Sequence, residues 1–504
     1  MPESAVKRLL VHTSHYSLSS FLTMVAGLVS FPLLTRIFSV GDYGIMNLIG
    51  STLTVAVALG KVGVQHSIVR YQSEISAGKG RYTLRELAST TMFGMIGTAL
   101  TAMAILMVLV HFVPARWFAD SRLRLLFSVA TLLIFVQVVE SNFLNFLRAE
   151  QATTTLLKYQ VAKRYLGLGL ILTTVFFISQ SLGGFYTASV VNESLALIAL
   201  ALLVYVKRGW PLPRLSEFRR PLYRELLGFG IPMMIGYEMA GLILAVGDRY
   251  VIEGLIGETP LGLYSAAYNL CQYVQSVFIA SVAQAIMPLY MQMWDAKGVE
   301  ETQAFIARSM RTYVLLAAPL IAGLAAVGPE LLPSLASDKY ATGAGILPWV
   351  ISGMVIEGAN AMVGAGLFIH RKTRVIMSIV LSCAIANIGL NFILVPRIGI
   401  MGSAIATLVS YAASALLLGA AGRRLLVVKL PWMTILRAGV SAFVMFLAVR
   451  NILPARRLLT VCVRSIAGAP VYAALVYLID PDAREAARKP IERLRRLVRG
   501  ERAA

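Results

Sequence analysis

Apolar stretches of close to twenty residues follow one another along almost the whole chain, with only short polar connections between them. A bilayer core roughly 30 Å thick takes about 20 apolar residues per helix. The stretches therefore read as about fourteen membrane spans: 16–38, 44–67, 88–113, 124–147, 163–180, 184–206, 226–250, 262–291, 311–328, 345–368, 374–395, 399–421, 433–452 and 458–479. The expected fold class is an all-α polytopic membrane protein, with two six-helix lobes plus two C-terminal helices. In residue terms this is an N-terminal lobe over 1–225, a C-terminal lobe over 226–425, the last two spans within 426–481, and a basic cytoplasmic tail over 482–504. Composition leaves little room for a soluble alternative, because 58% of the 504 residues are hydrophobic and 14% charged.

A formal charge of +21 raises the question of nucleic acid, but a nucleic-acid binder gathers its basic residues on one folded surface. Here they fall in clusters between the spans. With the N-terminus in the cytoplasm, 34 of the 46 Lys and Arg lie on the cytoplasmic side and 11 on the other, with Lys61 inside the membrane. Loops enriched in Lys and Arg stay inside, so the charge is a topology signal that places both termini in the cytoplasm and argues against a nucleic-acid partner. Lys7, Arg8 and His12 precede an apolar stretch without a small-residue cleavage pattern, and a retained first helix is expected. Cys271, Cys383 and Cys462 each lie inside an apolar run and read as small core residues.

The halves of the chain echo each other, the sign of a duplicated transporter core. SVGDYGIM (39–46) parallels GETPLGLY (257–264), aligning Gly44 with Gly262. SLGGFYTASV (181–190) parallels GIMGSAIATL (399–408), aligning Gly184 with Gly402.

Polar residues inside the spans mark where chemistry is possible. Asn47, Ser51, Thr54, Ala58, Lys61 and Gln65 recur at spacings of three and four, which puts them on one face of the second span. Such a stripe avoids lipid and faces protein or water. It is either helix–helix hydrogen bonding or a cavity wall on which Lys61 addresses an anionic headgroup. In the fourth span Gln137, Ser141 and Arg148 line up with Glu140 beside them, and Glu140 and Arg148 could simply neutralise each other through a neighbour. Glu193, Glu238 and Glu357 sit near the middle of their spans. A carboxyl taken out of water holds its proton more tightly, so Glu140, Glu193, Glu238 and Glu357 are ion-coupling candidates, with a structural hydrogen bond as the plainer reading of each.

Asp248 and Arg249 at the end of the seventh span read first as an interfacial pair, and Arg36 as a cation suited to a helix C-terminus. Tyr264, Tyr268, Gln272 and Gln275 share a face of the eighth span, where rings and amides suit sugar rings and their hydroxyls. Asn387 and Asn391 read as inter-helix glue. The substrate-cavity candidates are Lys61, Gln65, Arg36, Arg148, Arg249, Tyr268, Gln272 and Gln275. The tail beyond 482 alternates Arg with Ile, Leu and Val in a way that suits the anionic leaflet of a membrane.

PLLTRIFSVGDYG (32–44), FLRAEQ (146–151), GDRYVIEGLIG (247–257) and LNFILVPRIGIMGSAIAT (390–407) together resemble the polysaccharide transporter family. These are the O-antigen and exopolysaccharide flippases of the multidrug/oligosaccharidyl-lipid/polysaccharide exporter superfamily. The resemblance runs from about residue 15 to 425. It implies paired six-helix lobes around a cavity that opens alternately to the two sides of a bacterial inner membrane. The implied cargo is an undecaprenyl-diphosphate-linked oligosaccharide, and a polysaccharide polymerase or export machinery is the implied partner. A multidrug or metabolite antiporter of the same superfamily, or a membrane polymerase or ligase, are the competing readings. No G-x-x-x-x-G-K-[ST] phosphate loop and no H-E-x-x-H occur. ATP hydrolysis, a metal centre, a cofactor and catalytic residues are therefore not expected.

Overall fold

The computed structural model describes residues 3–76, 78, 81–112, 122–276, 281–452 and 457–485, without the side chains of 3–17, 236–237, 281–285 and 457–458. Among the described residues there are helices and turns but no strand. The chain packs as two compact units, one made of 1–265 with 380–403 and the other of 266–379 with 404–504.

The first unit begins with α1 (Glu3–Ile37), which runs unbroken through Pro32. Ser39 then caps α2 (Val40–Lys61) by accepting the Asp42 N–H. This helix stops at Val62 and Gly63, whose φ values are 50° and 75°. Such angles favour glycine and end a helix, so α3 (Val64–Ser76) starts in a new phase. The second span, read as 44–67, is thus two helices. Gln65 lies in the first turn of α3 rather than on the face of α2 that carries Lys61.

Next come α4 (Leu84–Phe112), α5 (Leu123–Ala130), α6 (Leu132–Ala149), α7 (Thr153–Thr173) and α8 (Leu182–Leu202). The seventh span is α9 (Arg220–Met233) and α10 (Ala240–Ile256), joined by a π-helical stretch over Met234–Met239. α11 (Glu258–Gln275) follows at once, beginning in this unit and continuing into the second. The turn between is made by Gly257 with φ +91°. Buried apolar side chains of α2, α3, α4, α6 and α9, among them Ile49, Ile68, Met95, Ile134 and Leu226, form the core of this unit.

The two repeat-aligned glycine pairs have distinct roles. A Cβ on Gly262 would lie 1.9 Å from the Val40 carbonyl oxygen, and one on Gly44 would lie 2.4 Å from the Glu258 carbonyl oxygen. The aligned residues therefore meet each other, backbone to backbone. Gly184 and Gly402 sit in the first turns of α8 and α16, where a Cβ would meet Ser179 and Leu394 of the preceding segments.

The second unit contains α12 (Ser281–Leu335), which bends at Gly298, then α13 (Leu347–Val363), α14 (Ala365–Ile369), most of α16 (Ile400–Gly422), α17 (Trp432–Arg450) and α18 (Arg457–Ile479). α15 (Thr373–Ile398) begins in this unit and continues into the first. The last two helices are fastened to α12. Buried Arg464 donates to Glu330 at 2.8 Å and to the Ala326 carbonyl, while Arg311 pairs with Asp480 and Asp482.

Exposure is inverted relative to a soluble protein. Phe177, Ile198, Ile385, Phe443 and Ile466 are exposed, whereas Thr90, Asn142, Asn387 and Ser410 are buried. That is the pattern of a chain solvated by lipid. Twelve described helices are long and apolar enough to cross a membrane. The expected spans 226–250 and 262–291 are not among them, although both are helical where described. Each contains residues outside the described set, 236–237 by their side chains in the first and 277–285 wholly or by their side chains in the second. The count of fourteen is therefore not reached on the described residues.

Candidate functional site

Along α2 the expected polar stripe is built differently at its two ends. Asn47, Ser51 and Thr54 each donate to the carbonyl four residues earlier, at 2.8 Å. These bonds turn back on their own helix. Lys61, in the last turn, is half-buried. Among the described residues no hydrogen-bond or ion-pair partner is seen for its ammonium, which lies in the fields of Glu238, Arg148 and Glu140. The Arg148 guanidinium, at the end of α6, is exposed and donates to Asn145 Oδ1 at 3.0 Å. Two cations on neighbouring helices thus retain donors for an anion.

Beside them, Glu238 sits on the π-helical stretch between α9 and α10. Gln65 Nε2 donates to its Oε2 at 2.7 Å, and His66 Nε2 lies 3.5 Å from the same oxygen. Irregular helix at membrane depth is tolerated where it is buried in protein or lines a cavity. Glu238 uses that freedom to face α3.

Glu140, buried on α6, accepts from the Tyr159 hydroxyl at 2.8 Å and from Lys163 Nζ at 2.7 Å. The same ammonium lies 2.5 Å from Glu193 of α8. Two of the four carboxylate candidates are therefore held by one lysine from α7. Glu140 does not offset Arg148 directly. Lys163 and Tyr159 escape the sequence reading because α7 begins at Thr153 rather than 163, which moves Lys163 from the mouth of the span to about 15 Å inside the helix. The available signal is Tyr159 and Lys163 at a spacing of four in a stretch without Pro or Gly.

The remaining candidates are dispersed. Gln275 Nε2 lies 3.3 Å from Glu357 on α13, which links a cavity candidate with an ion-coupling candidate in the second unit. Gln272 is exposed and Tyr268 is buried. Arg36 donates to the Pro32 carbonyl at 3.0 Å at the end of α1. Asp248 and Arg249, expected at the interface, are both buried, and the Tyr264 hydroxyl donates to Asp248. The carboxylate thus takes Tyr264 out of the expected sugar-binding face. Asn391 donates to Asn387 on its own helix at 2.9 Å. That bond is intrahelical, where contacts between helices were expected. Among the described residues no group of three His, Cys, Asp or Glu could hold a metal ion. The basic tail beyond 485 lies outside the described residues.

A multi-pass helical membrane protein with charged groups inside its helical bundle is the class these features define. The chain belongs to the polysaccharide biosynthesis protein family, whose model matches residues 9–294. It is similar to an uncharacterised membrane protein of Methanocaldococcus jannaschii, 22% identical over 73% of this chain and 75% of that one. It is also similar to the probable low-salt glycan biosynthesis flippase Agl15 of Haloferax volcanii, 21% identical over 47% of this chain and 50% of that one. In fold it matches the inward closed conformation of the lipid II flippase MurJ, with TM-score 0.73 and 13% identity, covering 93% of this chain and 99% of that one. A multidrug resistance transporter of the MATE family, inward-facing, matches with TM-score 0.59 and 17% identity over 83% and 97% of the two chains.

Proposed function

We propose that this protein is a flippase that carries an undecaprenyl-diphosphate-linked oligosaccharide from the cytoplasmic to the periplasmic leaflet of a bacterial inner membrane. Both termini lie in the cytoplasm, and two lobes, 1–225 and 226–425, alternate access to a shared path. The observation that carries this reading is the Lys61 ammonium, within the membrane helices and without a hydrogen-bond partner among the described residues, with Arg148 nearby. A charge in the membrane costs at least ~2.5 kcal/mol on insertion scales. A diphosphate supplies the acceptor oxygens that this ammonium lacks and adds counter-charge to that of Glu238 and Glu140, and the saccharide supplies hydroxyls for amides such as Gln272 and Gln275. The family membership and the name of one relative, a probable glycan biosynthesis flippase, support this reading. Glu140, Glu193, Glu238 and Glu357 are the proton-coupling candidates, and a polymerase on the outer side consumes the cargo. The chain works as a transporter rather than an enzyme.

The test is Lys61→Ala in a strain whose polymer export depends on this protein. Export should fall at least tenfold at normal protein abundance, and labelled lipid-linked saccharide should no longer cross reconstituted liposomes. Full export would remove Lys61 from the site, and transport of cationic drugs in place of the saccharide would move the assignment to the antiporter reading.

A further inference from the structure

Gln65, in the first turn of α3, is 8% exposed, and only half of its amide is used. Nε2 donates to Glu238 Oε2 at 2.7 Å. Oε1 is buried and has no hydrogen-bond partner among the described residues. A carboxylate takes a donor, so the bond to Glu238 fixes which way round the amide stands and leaves a carbonyl oxygen as its open end. The break at Val62 and Gly63 that starts α3, and the π-helical stretch over Met234–Met239 that carries Glu238, together hold this arrangement. Lys61, on the other side of that break, lies in the field of the same carboxylate and has no hydrogen-bond partner among the described residues. A donor in want of an acceptor and an acceptor in want of a donor thus flank one glutamate, all within the first unit.

Buried polar atoms are nearly always paired, so an acceptor left over beside a binding ammonium marks a group that the ligand completes. A diphosphate can satisfy Lys61, but its oxygens only accept and cannot serve Gln65 Oε1. On a sugar joined to a diphosphate through C1, the nearest donor is the substituent at C2. We propose that Gln65 is a specificity-determining residue, whose Oε1 accepts a hydrogen bond from the hydroxyl or acetamido N–H at C2 of the first sugar while Lys61 holds the diphosphate. The inference rests on the flippase reading for its cargo and adds to it a required chemical group. Cargo without a donor at C2 leaves Oε1 unpaired in the complex and forgoes that bond. A direct bond from Lys61 to Gln65 during transport, the other use of this oxygen, would affect every cargo alike.

The test compares two cargoes in liposomes holding the full chain: undecaprenyl-diphosphate-linked glucose and its 2-deoxyglucose counterpart, each bearing the same labelled second sugar. The parent should flip the glucose cargo about tenfold faster, the effect of one hydrogen bond to a buried acceptor. Gln65→Met should remove this preference by slowing the glucose cargo. Gln72→Met takes away a comparably buried amide two turns along α3 and should keep the preference. For a protein that moves neither cargo, the ratio of the two Kd values in nanodiscs gives the same reading. Equal rates in the parent, a preference that survives Gln65→Met, or one lost equally in Gln72→Met overturn the role of Gln65 and leave the flippase reading standing. A Gln65→Met variant that binds neither cargo shows that Gln65 serves the fold or the diphosphate rather than C2, and overturns that role as well. A parent that neither moves nor binds either cargo overturns the flippase reading and the inference with it.

Discussion

Lys163 holds two carboxylates at once, Glu140 on α6 and Glu193 on α8, and so ties three helices with one ammonium. Its side chain is 18% exposed and that of Glu140 7%. Removing one partner of such a pair leaves an uncompensated buried charge, which costs about 3–5 kcal/mol. Lys163→Met should therefore lower the thermal stability of the purified protein sharply, by a loss on the order of 3 kcal/mol. Lys163→Met with Glu140→Gln should recover part of the loss, since one of the stranded charges is gone. Melting curves in detergent measure both. An unchanged midpoint in the single variant would show that the cluster is open to water. At this scale the sequence displays the acids but not their partner, because a basic residue near the start of a span reads as a cytoplasmic flank.

At the scale of helices, glycines decide where elements can touch. A Cβ on Gly262 would meet the Val40 carbonyl oxygen at 1.9 Å, whereas nothing lies within 4 Å of one on Gly50 in the middle of α2. Gly262→Ala must push α11 off α2 and should cost about 1–3 kcal/mol. Gly50→Ala should be neutral or stabilising by up to about 1 kcal/mol, because alanine favours helix. Equal melting shifts for the two variants would mean that the crossing is not the contact that holds this end. Most spans are legible from length and apolarity alone: 433–452 and 458–479 correspond to α17 (Trp432–Arg450) and α18 (Arg457–Ile479). The break at Val62 and Gly63 and the π-helical stretch at Glu238 are not, since hydropathy is continuous across both. Those two irregularities place Gln65 and His66 against Glu238. That contact is therefore hidden in the sequence even though Gln65 and Glu238 each stand out there as polar residues within apolar runs.

For the whole molecule, the basic residues argue for cytoplasmic termini, and the loop contacts give an independent test. The Arg214 and Arg219 backbone N–H groups donate to Ser89 and Thr90 at the start of α4, and Arg219 pairs with Glu86 at 2.6 Å. The connection around Ser216 and the one around Gly78 are therefore on one face. At the other ends of these helices, Arg122 pairs with Asp42 at 2.9 Å, and Glu258 packs against Gly41. Thr259 is exposed beside that contact. Positive loops remain on the cytoplasmic side because the Lys and Arg bias in short loops sets orientation during insertion, and the anionic leaflet holds each nearby cation by about 1 kcal/mol. Single cysteines at Gly78, Ser216 and Arg495 should accordingly resist an impermeant maleimide in intact cells and react in inverted vesicles, while Thr259→Cys should do the reverse. The comparison separates two statements. If Gly78 and Ser216 label from opposite faces, the packing of α3, α4 and α9 is wrong. If they label together but from outside, the packing stands and the chain is inverted. In that case Lys61 and Arg148 would lie toward the periplasmic leaflet, and the direction of cargo movement would have to be reversed as well.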